Sequence, residues 1–176
     1  MTEQQIKQIE QDYNVTILYI TKSGSHLYGT NDENSDTDYK GIFVPSKQDV
    51  LLKQDRDYIK LDSNKSNKAN TSDDIYIHLD SIYKWLNLVA KGETGAIDTL
   101  FSMWIDQSVY HIEYFTNTIK NNYLKLVTKK PQAFVDYCVS QARKYNVKGE
   151  RYNELTKFLY LLKTYQRDQK LLDYYE

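Results

Sequence analysis

The feature that most narrows the fold is a change of hydrophobic period along the chain. Before residue 80 the apolar residues fall in short β-branched and aromatic runs, Val15 to Thr21 (VTILYIT), Asp36 to Val44 and Ile75 to Leu79 (IYIHL), with a weaker run at Tyr58 to Leu61. After Gly95 they recur at helical spacing instead. Strands first and helices mostly later predict an α+β chain rather than regular alternation. Pro45, which lacks the N–H a continuing ladder would use, closes the second run. Ahead of the strands, Thr2 to Tyr13 sets Ile6 and Ile9 at helical spacing and reads as a short helix. His26 to Ser35 reads as a polar connection, and Ser63 to Ser72 (SNKSNKANTS), apolar only at Ala69, as a flexible loop at a hairpin tip.

Asp80-Ser81 supplies an N-cap for a helix over Ile82 to Lys91 that Gly92 stops. Further helices are predicted around Ile97 to Trp104, His111 to Leu126, from near Pro131 to about Tyr145, and from about Glu150 to Asp173. The last carries Leu155, Phe158, Leu159 and Leu162 on one stripe. The expected organisation is a core over residues 1–105, with a helical region over 106–176 packed against it. No internal repeat is present.

Composition removes whole classes. With 176 residues, 40% hydrophobic and 27% charged, the chain can bury a core and is not collagen-like, disordered or membrane-spanning. MTEQQIKQIEQDY carries acids and amides where a secretory signal has a basic then an apolar stretch, so a cytoplasmic location is expected. Cys138 is the only cysteine, which excludes an internal disulfide and a zinc site of paired thiolates. The net charge of −1 hides a division: residues 1–117 hold 11 Lys/Arg against 18 Asp/Glu, net −7, and residues 118–176 hold 12 against 6, net +6. A metal-and-polyanion site needs both signs, although two ordinary solvated surfaces give the same count.

The informative segment is Gly24 to Pro45, GSHLYGTNDENSDTDYKGIFVP. In an extended strand Asp36 and Asp38 share a face, roughly 6.5–7 Å apart. Like charges so placed repel unless a cation lies between them, and oxygen-only ligands suit Mg²⁺ or Mn²⁺. Upstream, Gly24 permits a tight turn and close approach of a ligand, while the following N–H groups and the Ser25 hydroxyl can donate to phosphate. A phosphate cradle ten residues ahead of a carboxylate pair is a spacing that phosphoryl-transfer chemistry explains.

These residues resemble the minimal nucleotidyltransferase domain of the DNA polymerase beta superfamily, whose signature is Gly-Ser or Gly-Gly, about ten residues, then Asp-x-Asp or Asp-x-Glu. The fuller match, Gly24-Ser25-x-x-Tyr28-Gly29 with Ser35-Asp36-x-Asp38-Tyr39-x-Gly41-Ile42-Phe43, is similar to the predicted nucleotidyltransferases associated with RNA repair. It continues more loosely through Lys84-Trp85-Leu86, Lys91-Gly92, Asp98-Thr99-Leu100-Phe101, Gln141-Ala142-Arg143-Lys144-Tyr145, Lys148-Gly149 and Arg151. The resemblance covers about residues 15–152. It implies a small mixed palm-like sheet flanked by helices, an NTP such as ATP held with Mg²⁺ (or Mn²⁺), and transfer of a nucleotidyl group to an acceptor hydroxyl with release of pyrophosphate. Carried over, Gly24 and Ser25 bind the triphosphate and Asp36 and Asp38 ligate metal. A third carboxylate is expected on a later strand; Asp74 is chosen, with Asp73 and Asp80 as rivals and a helix N-cap as the plainer role for Asp80. Where these relatives often show Gly-Asn-Pro this chain has Gly92-Glu93-Thr94, and where they often show Glu it has Asp98.

Among the remaining residues, Lys40 shares the face of the aspartates and either meets a phosphate or pairs with one of them. Arg143, Lys144, Lys148 and Arg151 form a basic cluster fit for outgoing phosphates or a nucleic-acid backbone, or equally for a solvated helix face. His26, beside Ser25, and His78, near Asp74, line the expected pocket; no histidine has metal-ligand spacing. Trp85, Trp104 and Cys138 read as packing. RNA such as a tRNA end is the first acceptor to consider, then a protein hydroxyl or a small molecule. A non-catalytic nucleotide- or nucleic-acid-binding module and a toxin-like transferase acting on tRNA or a protein are the alternatives.

Overall fold

The computed structural model describes residues 1–33, 35–63, 74–105, 108–128, 132–144 and 154–160, with backbone only at 132, 143 and 144. It divides into two compact units, Met1–Ala133 and Phe134–Glu176. The first unit is built on a five-stranded mixed sheet. Its strands are β1 (Val15–Lys22), β2 (Thr37–Pro45), β3 (Tyr58–Asp62), β4 (Ile75–Ser81) and β5 (Ser108–His111), in the spatial order β3-β4-β2-β1-β5. Only β2 and β4 run parallel; the other neighbours are antiparallel. With the helices below, this is the expected α+β architecture of a small mixed sheet flanked by helices.

The two sheet faces bury different partners. On one, Ile6 and Ile9 of α1 (Glu3–Tyr13) pack with Ile17, Tyr39, Phe43, Ile59, Ile77 and Leu79. On the other, Tyr19 and Ile42 meet Trp85 and Val89 of α4 (Ile82–Lys91), Ala96 and Leu100 of α5 (Thr94–Phe101), and Phe115 and Ile119 of α6 (Glu113–Leu126). α1 begins with a capping box, Thr2 with Gln5, and ends at Asn14 in the left-handed conformation. Gly41 lies where β1, β2 and β4 are closest: a Cβ there would strike the Tyr19 carbonyl oxygen and come within 2.8 Å of Leu79 Cδ2. No helix among the described residues is long and apolar enough to cross a membrane.

The first four strands and the helix after the fourth agree with the sequence reading. Three local expectations are corrected. The predicted helix His111 to Leu126 is an edge strand ending at His111 followed by α6, because β5 hydrogen-bonds to β1 before the helix begins. The polar connection after Gly24 contains a one-turn helix, α2 (Ser25–Tyr28), and Lys47–Leu51 forms another short helix, α3, capped by Ser46. The cap of α4 is Ser81, whose hydroxyl accepts the Lys84 N–H at 3.3 Å, and not Asp80. The loop predicted at Ser63 to Ser72 lies, from residue 64, outside the described residues, as does the rival carboxylate Asp73. β3 and β4 pair as a hairpin across that gap. α7 (Gln132–Lys144), which lies in the second unit from Phe134 onward, and residues 154–160 are helical.

Candidate active site

The β1 strand runs out at Lys22, and Gly24 then adopts φ 62° and ψ −139°, a conformation that is essentially glycine's alone. The bend opens α2, whose Leu27 and Tyr28 N–H groups donate to the Gly24 carbonyl. At the start of so short a helix the Ser25 and His26 N–H groups have no helical acceptor. Gly29, also left-handed at φ 68°, closes the turn. The cradle is joined to β2 by its backbone: the Ser23 N–H donates to the Asp38 carbonyl at 2.9 Å.

That bond sets Asp38 beside the bend. A Cβ added to Gly24 would come within 3.0 Å of Asp38 Oδ2, so the carboxylate occupies the space the missing side chain leaves. Burial raises the Asp38 pKa above its ordinary value, and the Asp36 carboxylate raises it further; Lys40 and His26 hold it back. Asp36, Asp38 and the Gly24 bend therefore lie in one electrostatic neighbourhood. His26 adds a ring nitrogen, Nε2, that is buried without a hydrogen-bond partner among the described residues.

The parallel register fixes the level of Asp74, the residue expected as a third carboxylate. Thr37 pairs with Ile75 and its N–H donates to the Asp74 carbonyl at 3.1 Å, so Asp74 is level with Asp36 on the adjacent strand. Among the described residues no three His, Cys, Asp or Glu side chains draw together into a metal cage. The residues still fit a hard dication. They offer two mutually repelling carboxylates and a side-chain-free bend against one of them, and Mg²⁺ commonly takes one or two carboxylates plus substrate phosphates.

Further along the same face, Lys40 pairs in register with His78, and Ile42 with Asp80. His78 is thus level with Lys40 rather than near Asp74. Its Nε2 meets Asp80 Oδ1 at 3.1 Å, and Lys84 reaches the same oxygen at 2.8 Å. Burial pushes the Asp80 carboxyl up, but the hydrogen bonds and charges of His78 and Lys84 outweigh it and hold the pKa below the usual carboxylate value. Asp80 is thus held by His78 and Lys84, level with Ile42 and six residues along the chain from Asp74. The Lys40 ammonium stretches to the first turn of α5, over Gly95.

A residue pair that the sequence alone does not connect is Tyr28 with Asp98. The Tyr28 hydroxyl donates to Asp98 Oδ2 at 2.5 Å, tying the cradle helix to α5. Both positions stand in the motif match, which was the signal available. Arg143 and Lys144 end α7, in the second unit; Lys148 and Arg151 lie outside the described residues.

Comparison with known proteins places the chain in a family. A family described as the RNA repair pathway DNA polymerase beta family, RlaP, matches residues 1–169. An uncharacterized 38.9 kDa protein in the nrdC-mobD intergenic region of Enterobacteria phage T4 is 32% identical over 156 residues, covering 87% of this chain and 45% of that protein. The uncharacterized protein YcgL of Bacillus subtilis (strain 168) is 28% identical over 167 residues, covering 90% of this chain and 57% of that protein. The chain thus spans about half the length of these relatives.

Proposed function

Because this chain belongs to the RNA repair pathway DNA polymerase beta family, we propose that the Gly24–Asp38 neighbourhood is the catalytic centre of a metal-dependent nucleotidyltransferase acting on a cytoplasmic RNA end. The observation that carries the reading is the Asp38 carboxylate seated against the Gly24 bend, with its pKa raised by burial and by Asp36. A repelling carboxylate pair beside a Gly-Ser turn favours a cation, and a triphosphate supplies the matching anion.

In this reading the Ser25 hydroxyl and the first N–H groups of α2 hold the β- and γ-phosphates. Asp36 and Asp38 would hold Mg²⁺ or Mn²⁺, with Asp74 as the third carboxylate on the neighbouring strand. The ion, when bound, neutralises charge on the α-phosphoryl oxygens and lowers the cost of ionising the acceptor hydroxyl. The acceptor oxygen attacks the α-phosphorus, a new P–O bond forms, the bond to the β-phosphate oxygen breaks, and pyrophosphate leaves with the electron pair. The hydroxyl proton passes to water. Lys40, two residues beyond Asp38 on the same face, adds positive charge beside the carboxylate pair; Arg143, Lys144 and Lys148 are proposed to meet the RNA backbone. The protein's contribution is position and charge rather than covalent chemistry.

The test incubates α-labelled NTPs and Mg²⁺ with total RNA and with cell extract, comparing wild type with Asp38→Ala. Label on RNA in the wild type alone is the expected result. Label on protein moves the acceptor to a side-chain hydroxyl. NTP binding without transfer to anything identifies a binding module and overturns the proposal.

A further inference from the structure

Beyond the carboxylate pair, on the same sheet face, lies a second polar site, an open cavity of about 330 Å³ between β2, β4 and the facing turns of α4 and α5. Lys40, His78, Asp80, Lys84 and Glu93 line it, over an apolar floor that includes Leu88. We propose that this cavity takes the nucleoside moiety, base and ribose, of the incoming NTP; the assignment rests on the transferase reading above.

Three observations carry it. The His78, Asp80 and Lys84 side chains are 22%, 17% and 28% exposed. A carboxylate and an ammonium withdrawn from water to that degree return little net stability as an ion pair, and as the wall of a cavity they offer polar groups to a ligand. The balance of sign selects the class of ligand. Lys40 and Lys84 stand against Asp80 and Glu93, so a phosphate would meet two carboxylates, whereas a heterocycle and a ribose present donors and acceptors that both signs can satisfy.

Reach supplies the third. Lys40 follows Asp38 by two residues, roughly 6.5–7 Å along the strand, which is comparable with the span from the α-phosphate of a nucleotide to its ribose and base. Gly95 keeps the wall thin, since a Cβ there would meet Lys40 Nζ at 2.5 Å and Glu93 Oε2 at 3.3 Å.

The test titrates the full chain in Mg²⁺ with ATP, GTP, CTP and UTP, and in parallel with inorganic triphosphate, by calorimetry. The variants are Leu88→Trp, which fills the cavity, and His78→Gln, which alters its wall with little change in volume. Both are expected to weaken NTP binding at least tenfold and inorganic triphosphate less than twofold, and the four NTPs to differ from one another in wild type. NTP affinity unchanged in both variants, or NTP and triphosphate weakened alike, overturns the assignment. So does loss of acceptor RNA binding with NTP binding kept. Should wild type bind neither NTP nor triphosphate, the transferase reading fails, and the four bare nucleosides are titrated against ¹⁵N-labelled protein. Shifted His78 ring signals then uphold a nucleoside cavity, and unmoved ones overturn it.

Discussion

Asp38 Oδ2 stands 3.0 Å from the point where a side chain on Gly24 would begin. Two segments 14 residues apart in sequence thereby share one small space, and substitution at Gly24 tests both its backbone and its neighbour. Gly24→Ala forces a left-handed φ on a residue with a Cβ and presses that Cβ onto the carboxylate, a cost of about 1–3 kcal/mol. Gly29 has a similar φ, 68°, but open space around it. Both alanine variants are expected to lower the urea midpoint. Only Gly24→Ala is expected also to abolish the rise in melting temperature produced by Mg²⁺ with NTP, and equal loss of that response in Gly29→Ala would refute the role given to the contact.

Asp38 carries a raised pKa in the fold, from burial first and Asp36 second. The sign follows directly: its charged form is disfavoured in the folded protein, so the penalty is fully present above the folded pKa and vanishes below the ordinary carboxylate value. Without divalent cations at neutral pH, Asp38→Asn is therefore expected to raise the melting temperature slightly, by about 1–3 °C. With Mg²⁺ the order reverses, because wild type gains stability and the variant does not. Calorimetric scans with EDTA and with Mg²⁺ check both halves.

What the sequence makes legible is set by range. Val15–Lys22 and Thr37–Pro45 declare themselves through β-branched density, and Gly24, Ser25, Asp36 and Asp38 lie close enough along the chain for their meeting to be read from spacing. Ser108–His111 does not declare itself, being a four-residue edge strand whose partner among the described residues, β1, is nearly 90 residues upstream. α2 is a single turn, too short for periodicity to register. The parallel pairing of β2 with β4 is a long-range fact, and with it come the level of Asp74, the place of His78 beside Lys40, and the cavity they border. Asp80 illustrates the limit: as the residue before a helix start it looks like a cap, yet Ser81 takes that role and frees Asp80 to gather His78 and Lys84.

That gathering predicts an acid-sensitive component of stability. The Asp80 pKa is held below its ordinary value, burial being outweighed by the bonds from His78 and Lys84. A depressed folded pKa contributes stability that is present above the unfolded value and is lost as the pH falls through the folded one. Asp80→Asn leaves Lys84 without its carboxylate and is expected to cost about 1–3 kcal/mol at neutral pH. Urea midpoints measured from pH 6 down to pH 3 should converge for wild type and variant at the acid end. A constant gap across that range would show that the loss is packing and not charge.

Tyr28 and Asp98 join the cradle helix to α5 by one hydroxyl-to-carboxylate bond at 2.5 Å. Tyr28 is 61% exposed, so the bond contributes little to global stability, and its effect belongs to the orientation of Ser25 and the N–H groups behind it. Tyr28→Phe and Asp98→Ala are each expected to raise KM for NTP several-fold with kcat nearly unchanged. In a double-mutant cycle the two effects should not add, because either change alone removes the bond. Asp98→Glu keeps the carboxylate and should restore most of the affinity, whereas additive losses with no rescue would mean that the two side chains act independently of each other.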